Sequence, residues 1–406
     1  MSRRRDLALV SLGSGVSWFG NSLAVIALLL TLRGAGSFAI AGLFIAEMVP
    51  LFLIATVAGL VVDRLPNRRL MIVAELGQGL AAVGLACWQP NLAAVFGFVI
   101  LLSVGTALVR PAASALIPVI TGEEGSTRGY SWMATGSSAG ILLGTAAGGV
   151  LVTAFGPRTA LLIDAATFIL EAFALLWVRA ERRAKVRPEQ GTALGEITAG
   201  LRLLFGDRVL ITAVGGVAVS CFTVNLLTVA EVFFVMVTLR STGIVLGVIQ
   251  AMWMAGVLIG ALIGARFQTV RSIALLLAIC ECGMGFALSW PAVLPLTVVT
   301  AAAYLVAGTA NGAQSVAQTA LVRLRSPQEM RGRIFAGVNG LISGANLLAN
   351  LVGGVIVAEV GPRLTFAVAA PLTLVAGLGV LVLSARLTAR GRITDAAPAA
   401  AEQLLG

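Results

Sequence analysis

The chain contains one short segment twice, first as Gly148-Gly149-Val150-Leu151-Val152 leading to Gly156-Pro157-Arg158, and again as Gly353-Gly354-Val355-Ile356-Val357 leading to Gly361-Pro362-Arg363. The second copy begins 205 residues after the first, which is half of the 406-residue chain. A repeat at half of the chain length predicts two related helical bundles in one polypeptide.

The composition indicates that these bundles lie in a membrane. The chain is 58% hydrophobic and 11% charged, with a mean hydropathy of +0.99, whereas about a quarter of the residues in soluble proteins are charged. A membrane-crossing helix needs roughly 20 mostly apolar residues. The sequence therefore predicts an all-α membrane protein with twelve transmembrane helices in two pseudo-symmetric six-helix bundles. The predicted spans are 7–32, 38–62, 70–88, 92–111, 131–155, 160–178, 209–239, 242–265, 272–290, 294–321, 334–360 and 364–387.

The net charge of +10 has a topological explanation. With twelve spans and an inside N-terminus, 23 of the 28 basic residues fall in inside segments, and the outside loops keep only Arg33, Arg158, Arg240 and Arg363. This asymmetry follows the positive-inside rule and predicts that both termini are cytoplasmic. Because the charge is explained in this way, no nucleic-acid partner is expected.

The only long polar connection divides the chain. We predict an N-terminal six-helix bundle at 1–178, a cytoplasmic linker at 179–208, a C-terminal six-helix bundle at 209–392 and a disordered tail at 393–406. Within the linker, Leu194, Ile197, Leu201, Leu204 and Phe205 recur at helical spacing. This pattern predicts a short amphipathic helix on the cytoplasmic membrane surface.

The loop after the second span carries a family resemblance. Its sequence, Gly59-Leu60-Val61-Val62-Asp63-Arg64-Leu65-Pro66-Asn67-Arg68-Arg69, resembles the signature loop of the major facilitator superfamily. Arg110-Pro111-Ala112-Ala113, Leu116-Ile117-Pro118 and Arg331-Gly332-Arg333-Ile334-Phe335 are similar to the branch that contains macrolide and siderophore exporters. The resemblance implies a transporter of a bacterial inner membrane that works by alternating access.

The same resemblance implies a conformational switch in this loop. Asp63 would contact the eleventh span in one state, Gly59 would allow the close approach, and Arg110 would be the partner of Asp63 or, alternatively, a substrate contact. The switch is assigned to Gly59, Asp63, Arg64, Arg68, Arg69 and Arg110. The alternative is an ordinary topogenic basic loop. A second copy, Gly260 to Arg266, has Gly264 in the place of Asp63.

Acidic residues inside spans need an explanation, because a charge in the bilayer core is costly. Glu47 is predicted near the middle of the second span with no basic residue at its depth, so we expect it to carry a proton or to bind a cationic substrate. Glu231 is the second candidate. Packing or hydrogen bonding is expected for Glu171 and Glu281, and contact with water or basic loops for Glu75.

Polar and aromatic residues at helical spacing are expected to line a cavity. Hydrogen bonding between helices is the alternative for any single one of them. Asn21 and Asn225 lie 204 residues apart, close to the repeat offset, and are expected to be symmetry mates. The candidate cavity residues are Trp18, Asn21, Asn225, Gln250, Trp253, Asn311, Gln314, Asn346 and Asn350.

These features predict a proton-coupled transporter of small neutral or cationic amphipathic molecules without cofactor or metal, and the resemblance implies that it is an exporter and acts as a monomer. An enzyme is not expected: the chain has no histidine and no Gly-x-Ser-x-Gly elbow. An ATP-driven pump is excluded because no Gly-x-x-x-x-Gly-Lys loop precedes the sole lysine, Lys185. The alternatives are a non-transporting membrane receptor with the same fold and a facilitator or importer of a neutral nutrient.

Overall fold

The computed structural model describes residues 2–88, 91–122, 124–181, 193–326, 328 and 330–389. In this part of the chain the regular structure is entirely helical, which confirms the predicted all-α fold. The predicted tail 393–406 and residues 182–192 of the predicted linker lie outside the described residues.

The chain forms two compact units. The first consists of Met1–Gln190 and Arg240–Ala251, and the second of Gly191–Leu239 and Met252–Gly406. The first unit contains helices α1 (Ser2–Leu32), α2 (Ser37–Arg64), α3 (Asn67–Trp88), α4 (Leu92–Thr121), α5 (Ser126–Phe155) and α6 (Pro157–Leu176). The later helices are α7 (Ala193–Gly206), α8 (Arg208–Phe233), α9 (Gly243–Gly264), α10 (Val270–Val293), α11 (Thr297–Arg325), α12 (Arg331–Val360) and α13 (Pro362–Ala389).

Ten of these described helices are long and apolar enough to cross a membrane, namely all except α2, α7 and α11. Helices α2 and α11 coincide with the two other predicted spans. The prediction was wrong at the end of the fourth span, because α4 continues through Pro111 and Pro118 to Thr121. Proline is tolerated inside such a helix where neighbouring groups satisfy the freed backbone.

The repeated segment forms the same turn in each half. Gly156 ends α5 with φ +82°, and Gly361 ends α12 with φ +80°. Glycine adopts this left-handed conformation without steric cost. In each copy the next residue, Pro157 or Pro362, is the first residue of the following helix, where a missing N–H costs nothing.

Small residues bring α1 and α5 into backbone contact. A Cβ atom on Gly136, Gly140 or Gly144 of α5 would overlap the carbonyl oxygen of Ser11, Gly15 or Phe19 on α1. Gly260 of α9 packs in the same way against Thr309 of α11 in the second unit. Interfaces between membrane helices are enriched in small residues, because these let the backbones approach and pack closely.

Helix α7 corresponds to the predicted amphipathic helix, and part of it packs on other helices of the second unit. Gly200 of α7 packs backbone to backbone against Gly337 of α12, and Leu204 belongs to the hydrophobic core of the second unit. Beyond its end, Asp207 accepts hydrogen bonds from the first backbone N–H groups of α8 and pairs with Arg325 at 2.8 Å. Leu201 and Leu204 of the stripe therefore pack on other helices, because a glycine pair lets α7 approach them, whereas Phe205 is exposed.

Candidate functional site

The first unit contains a cavity of about 270 Å³ among α1, α3, α4, α5 and α6. Its wall includes Trp18 and Asn21 from α1 and Arg110 from α4. A smaller cavity of about 70 Å³ has these same three residues in its wall and adds Glu47 from α2. The structure thus brings together Trp18, Asn21, Glu47 and Arg110, which the sequence singled out separately.

The surroundings of Glu47 differ from the sequence expectation. Arg110 lies in the same cavity, and its positive charge acts on the Glu47 carboxylate. The guanidinium of Arg110 is also held over the ring of Trp18. The expectation that no basic residue reaches the depth of Glu47 is therefore wrong, because α4 continues past Arg110 instead of ending beside it.

Three further acids are buried in the first unit. Glu75 is 1% exposed, Asp164 is 1% exposed and Glu171 is 2% exposed. The charges of Glu171 and Asp164 both act on Glu75. Glu75 is thus buried beside two other acids rather than next to basic loop residues, as the sequence had suggested, because α3 packs against α6.

Glu171 accepts hydrogen bonds from α1. The Ser14 hydroxyl donates to Glu171 Oε1 at 3.2 Å, and Ser17 is a second partner. This agrees with the hydrogen bonding expected for Glu171. Asp164, by contrast, was missed by the sequence reasoning. Its signal was an aspartate within an apolar run, the same feature that identified Glu47.

In the second unit, two predicted cavity residues bond to each other. The amide of Asn225 on α8 donates to Asn346 Oδ1 on α12 at 2.9 Å and to the carbonyl oxygen of Cys221. This hydrogen bond joins α8 to α12. The two asparagines therefore bond between helices, which was the alternative to lining a cavity. Asn21, the predicted symmetry mate of Asn225, lies instead in the cavity wall of the first unit.

Glu231 belongs to a group that extends over three helices of the second unit. It is 2% exposed on α8 and hydrogen-bonds with Tyr304 of α11. The ring of Tyr304 contacts Trp253 of α9 edge to face, with centroids 6.0 Å apart. Tyr304 was absent from the sequence predictions because one tyrosine in an apolar helix gives no periodic signal.

Gln314 holds a buried acid rather than facing an open cavity. Its amide donates to Glu281 Oε1 on α10 and to the Ser220 hydroxyl on α8, each at 3.4 Å. Asn311 and Gln250 are half-buried on α11 and α9, and Asn350 is buried on α12. The structure thus places the predicted lining residues of α8 to α12 in different surroundings rather than in one described cavity.

Two basic residues that follow α2, at the start of α3, contact the end of α6. Arg68 donates to the carbonyl oxygens of Leu175 at 3.0 Å and Leu176 at 2.8 Å, and Arg69 lies 4.0 Å from Glu181. A cation at a helix C-terminus also interacts favourably with the helix dipole. Arg64 is exposed. The side chain of Asp63 and the surroundings of Gly59 lie outside the described residues.

Comparisons with known proteins agree with this architecture. The family model described as Major Facilitator Superfamily matches residues 7–336. The uncharacterized MFS-type transporter YfiS of Bacillus subtilis is 24% identical over 352 residues, which cover 84% of this chain and 83% of the relative. The multidrug efflux pump Tap of Mycobacterium tuberculosis is 28% identical over 344 residues, which cover 80% of this chain and 81% of the relative.

Solved structures share the fold at low identity. A bacterial homolog of the human lysosomal transporter Spinster aligns with a TM-score of 0.69 and 16% identity, covering 98% of this chain and 99% of that one. The nucleoside transporter NupG aligns with a TM-score of 0.74 and 13% identity, covering 93% and 98%. At such identities the likeness supports the fold alone.

Proposed function

The chain belongs to the Major Facilitator Superfamily, and from that premise we propose that it exports small neutral or cationic amphipathic organic molecules in exchange for protons. Such transporters are multi-pass membrane proteins whose substrate site opens alternately to one side of the membrane and to the other. The observation that carries the proposal is the composition of the cavities in the first unit. Four acids, Glu47, Glu75, Asp164 and Glu171, line them together with a single base, Arg110.

The excess of acids favours cationic over anionic cargo. A phosphate or dicarboxylate would need fixed cations in the wall, and the described wall offers Arg110 alone, already next to Glu47. An aromatic cation would also interact favourably with the face of Trp18. Apolar side chains such as Phe168 complete the wall and would accept the apolar part of the cargo.

Glu47 is the group that we propose couples transport to protons. When it is ionised, Arg110 and a cationic cargo both stabilise it, whereas a proton removes the charge that attracts the cargo. Proton and cargo therefore compete for one carboxylate, and each lowers the affinity for the other. Competition at a site that opens alternately to each side produces exchange.

The direction and orientation rest on other features. One relative is named a multidrug efflux pump, which favours export. The excess of basic residues in one set of loops favours a bacterial inner-membrane protein with both termini in the cytoplasm. We retain Gly59, Asp63 and Arg64 as the proposed switch between states, because the loop sequence resembles that of the superfamily.

Everted membrane vesicles test the proposal. Their lumen is acidified by respiration, and ethidium, tetraphenylphosphonium and a neutral macrolide are added in turn as probes. We expect a cationic probe to enter the lumen as protons leave, so that lumenal acidity falls in the wild type and in Glu124→Gln, whose glutamate is exposed. Glu47→Gln should abolish this response.

Each other outcome contradicts part of the proposal. An undiminished response in Glu47→Gln would show that Glu47 is not the coupling group. Probe exchange without any effect of the proton gradient would indicate a facilitator. No binding or movement of any probe by folded protein would favour a receptor that has kept the transporter fold.

A further inference from the structure

The buried acids between α1, α3 and α6 form a group to which the proposed exchange assigns no proton, because it places the exchanged proton on Glu47. Glu75 from α3 and Glu171 from α6 both line the larger cavity, whereas Glu47 lies in the smaller one. Arg110 of α4 reaches both cavities, but the acid on which its charge acts is Glu47. The charge of Asp164 of α6 also acts on Glu75, so like charges meet here, and Arg110 is the one base among the described residues of the cavity wall.

Three buried acceptor oxygens at this place lack a hydrogen-bond donor. Glu75 Oε2, Gln78 Oε1 and Asp164 Oδ1 are buried and have no hydrogen-bond partner. All three are acceptors, and an ionised carboxylate has no hydrogen to offer them. The hydroxyls of Ser14 and Ser17 serve Glu171. The missing element is therefore a donor, and a proton on one carboxyl group would supply it.

The buried position of Gln78 supports a polar site here independently of the acids. It is 3% exposed, it lines the larger cavity, and its side chain packs directly on Gly105 of α4, where a Cβ atom would overlap it. Glu171 is held in a similar way, since a Cβ on Gly13 would lie 3.3 Å from its Cγ. Glycines on α1 and α4 thus leave room for these two polar side chains in an otherwise packed bundle.

We propose that Glu75 and Glu171 share one proton and form a second proton-binding site, distinct from Glu47 and Arg110. Two neighbouring carboxyl groups away from water do not both remain charged, because repulsion and desolvation act in the same direction. One proton relieves both costs and leaves an acid that donates to a neighbouring acceptor. The proton comes from water that enters the cavity and returns to it.

A metal ion does not fit this group as well as a proton. Among the described residues, no group of three or more Asp, Glu, Cys or His side chains is arranged to hold a metal ion. Hard cations such as Ca²⁺ require six or more oxygen ligands at short distance. A shared proton requires only the two carboxyl groups and the acceptors that are already present.

The role of this site in coupling rests on the proposed function, but its existence does not. If both sites exchange protons during the transport cycle, more than one proton moves per molecule of cargo. Its existence is tested without cargo, by infrared spectroscopy of the purified protein in lipid at neutral pH. The absorption of a protonated carboxyl group is distinct from that of a carboxylate and shifts in heavy water.

We expect Glu75→Gln and Glu171→Gln each to lose the same amount of protonated-carboxyl absorption, and the double variant to lose no more than either one. Glu124→Gln, an exposed control, should lose none. No loss in either single variant, or a double loss equal to the sum of two single losses, overturns the shared proton. A failure of proton-coupled export in vesicles leaves these spectra unchanged, so the two proposals fail separately.

Wild-type protein offers a test that does not depend on the folding of variants. A hydrophobic carbodiimide reacts with protonated carboxyl groups and can be located by peptide mass spectrometry. We expect the label on Glu75 or Glu171 and none on Glu124, with labelling suppressed at alkaline pH. Labelling of neither Glu75 nor Glu171 contradicts the proposal.

Discussion

The guanidinium carbon of Arg110 lies 4.6 Å from the centroid of the Trp18 ring. This contact joins α4 to α1 across the wall of both cavities in the first unit. It also holds the positive charge where it acts on Glu47. A cationic cargo that approaches Trp18 would therefore meet a face already in contact with a cation, and Arg110 would have to move away.

Replacement of Trp18 tests this contact. We expect Trp18→Ala to weaken binding of ethidium by about 2- to 5-fold, because a cation over an exposed aromatic face is worth about 0.5–1 kcal/mol. Trp18→Phe keeps a ring and should lose less. Titration of ethidium fluorescence with purified protein measures both affinities. Equal affinities for the alanine and phenylalanine variants would contradict a role for the ring.

Glu47 and Arg110 should be energetically coupled. We expect the double variant Glu47→Gln/Arg110→Gln to be more stable than the sum of the two single effects predicts, by about 0.5–1 kcal/mol. The value is small because Arg110 is exposed on the cavity wall, where solvent screens its charge. Thermal unfolding in detergent at low and high salt measures the coupling, and strict additivity at low salt would contradict it.

The contact between α1 and α5 should tolerate no added methyl group. A Cβ on Gly140 would overlap the Gly15 carbonyl oxygen and lie 3.1 Å from the Phe19 nitrogen. We expect Gly140→Ala to destabilise the protein by about 1–3 kcal/mol, because overpacking moves the backbone. Gly97→Ala is the matched control, since a Cβ atom there would meet no atom of another helix within 4 Å.

The control should change stability in the opposite direction. Alanine is favoured over glycine inside a helix by about 0.5–1 kcal/mol, and Gly97 lies within α4. Thermal unfolding of the two variants under the same conditions compares them. A Gly140→Ala protein as stable as Gly97→Ala would show that α1 and α5 are further apart than described here.

Asp207 has two separable roles. Its Oδ1 accepts hydrogen bonds from the N–H groups of Val209 and Leu210, and its Oδ2 pairs with Arg325 at 2.8 Å. We expect Asp207→Asn to lose the ion pair but keep the cap, and Asp207→Ala to lose both. Alanine should therefore be less stable than asparagine by about 1 kcal/mol in thermal unfolding. Equal losses would show that the cap contributes nothing.

Some features could be read from the sequence because they depend on local chemistry. The twelve apolar segments predicted the helices, since a backbone in hydrocarbon must satisfy its own hydrogen bonds. The repeated Gly-Pro-Arg segment predicted equivalent halves, and Gly156 and Gly361 indeed adopt the same conformation. Glu47 and Trp18 were recognisable for a similar reason, as charged and aromatic residues in helices that otherwise face lipid or protein.

Other features depended on which helices meet. Pro111 suggested the end of a helix, but α4 continues and carries Arg110 to the same cavity as Glu47. Asn225 and Asn346 lie far apart in the chain and bond to each other. The grouping of Glu75 with Asp164 and Glu171 likewise arises from packing of α3 on α6.

The sequence by itself determined the class of fold, the apolar helical segments and the family, because hydropathy and the loop after α2 are local patterns. Only the tertiary structure decided which charged groups face one another, that α7 packs on α12, and that Gln314 holds Glu281. The reason is that the interaction of two charges depends on the distance between them, and in a helical bundle that distance is set by glycine contacts between helices remote in sequence.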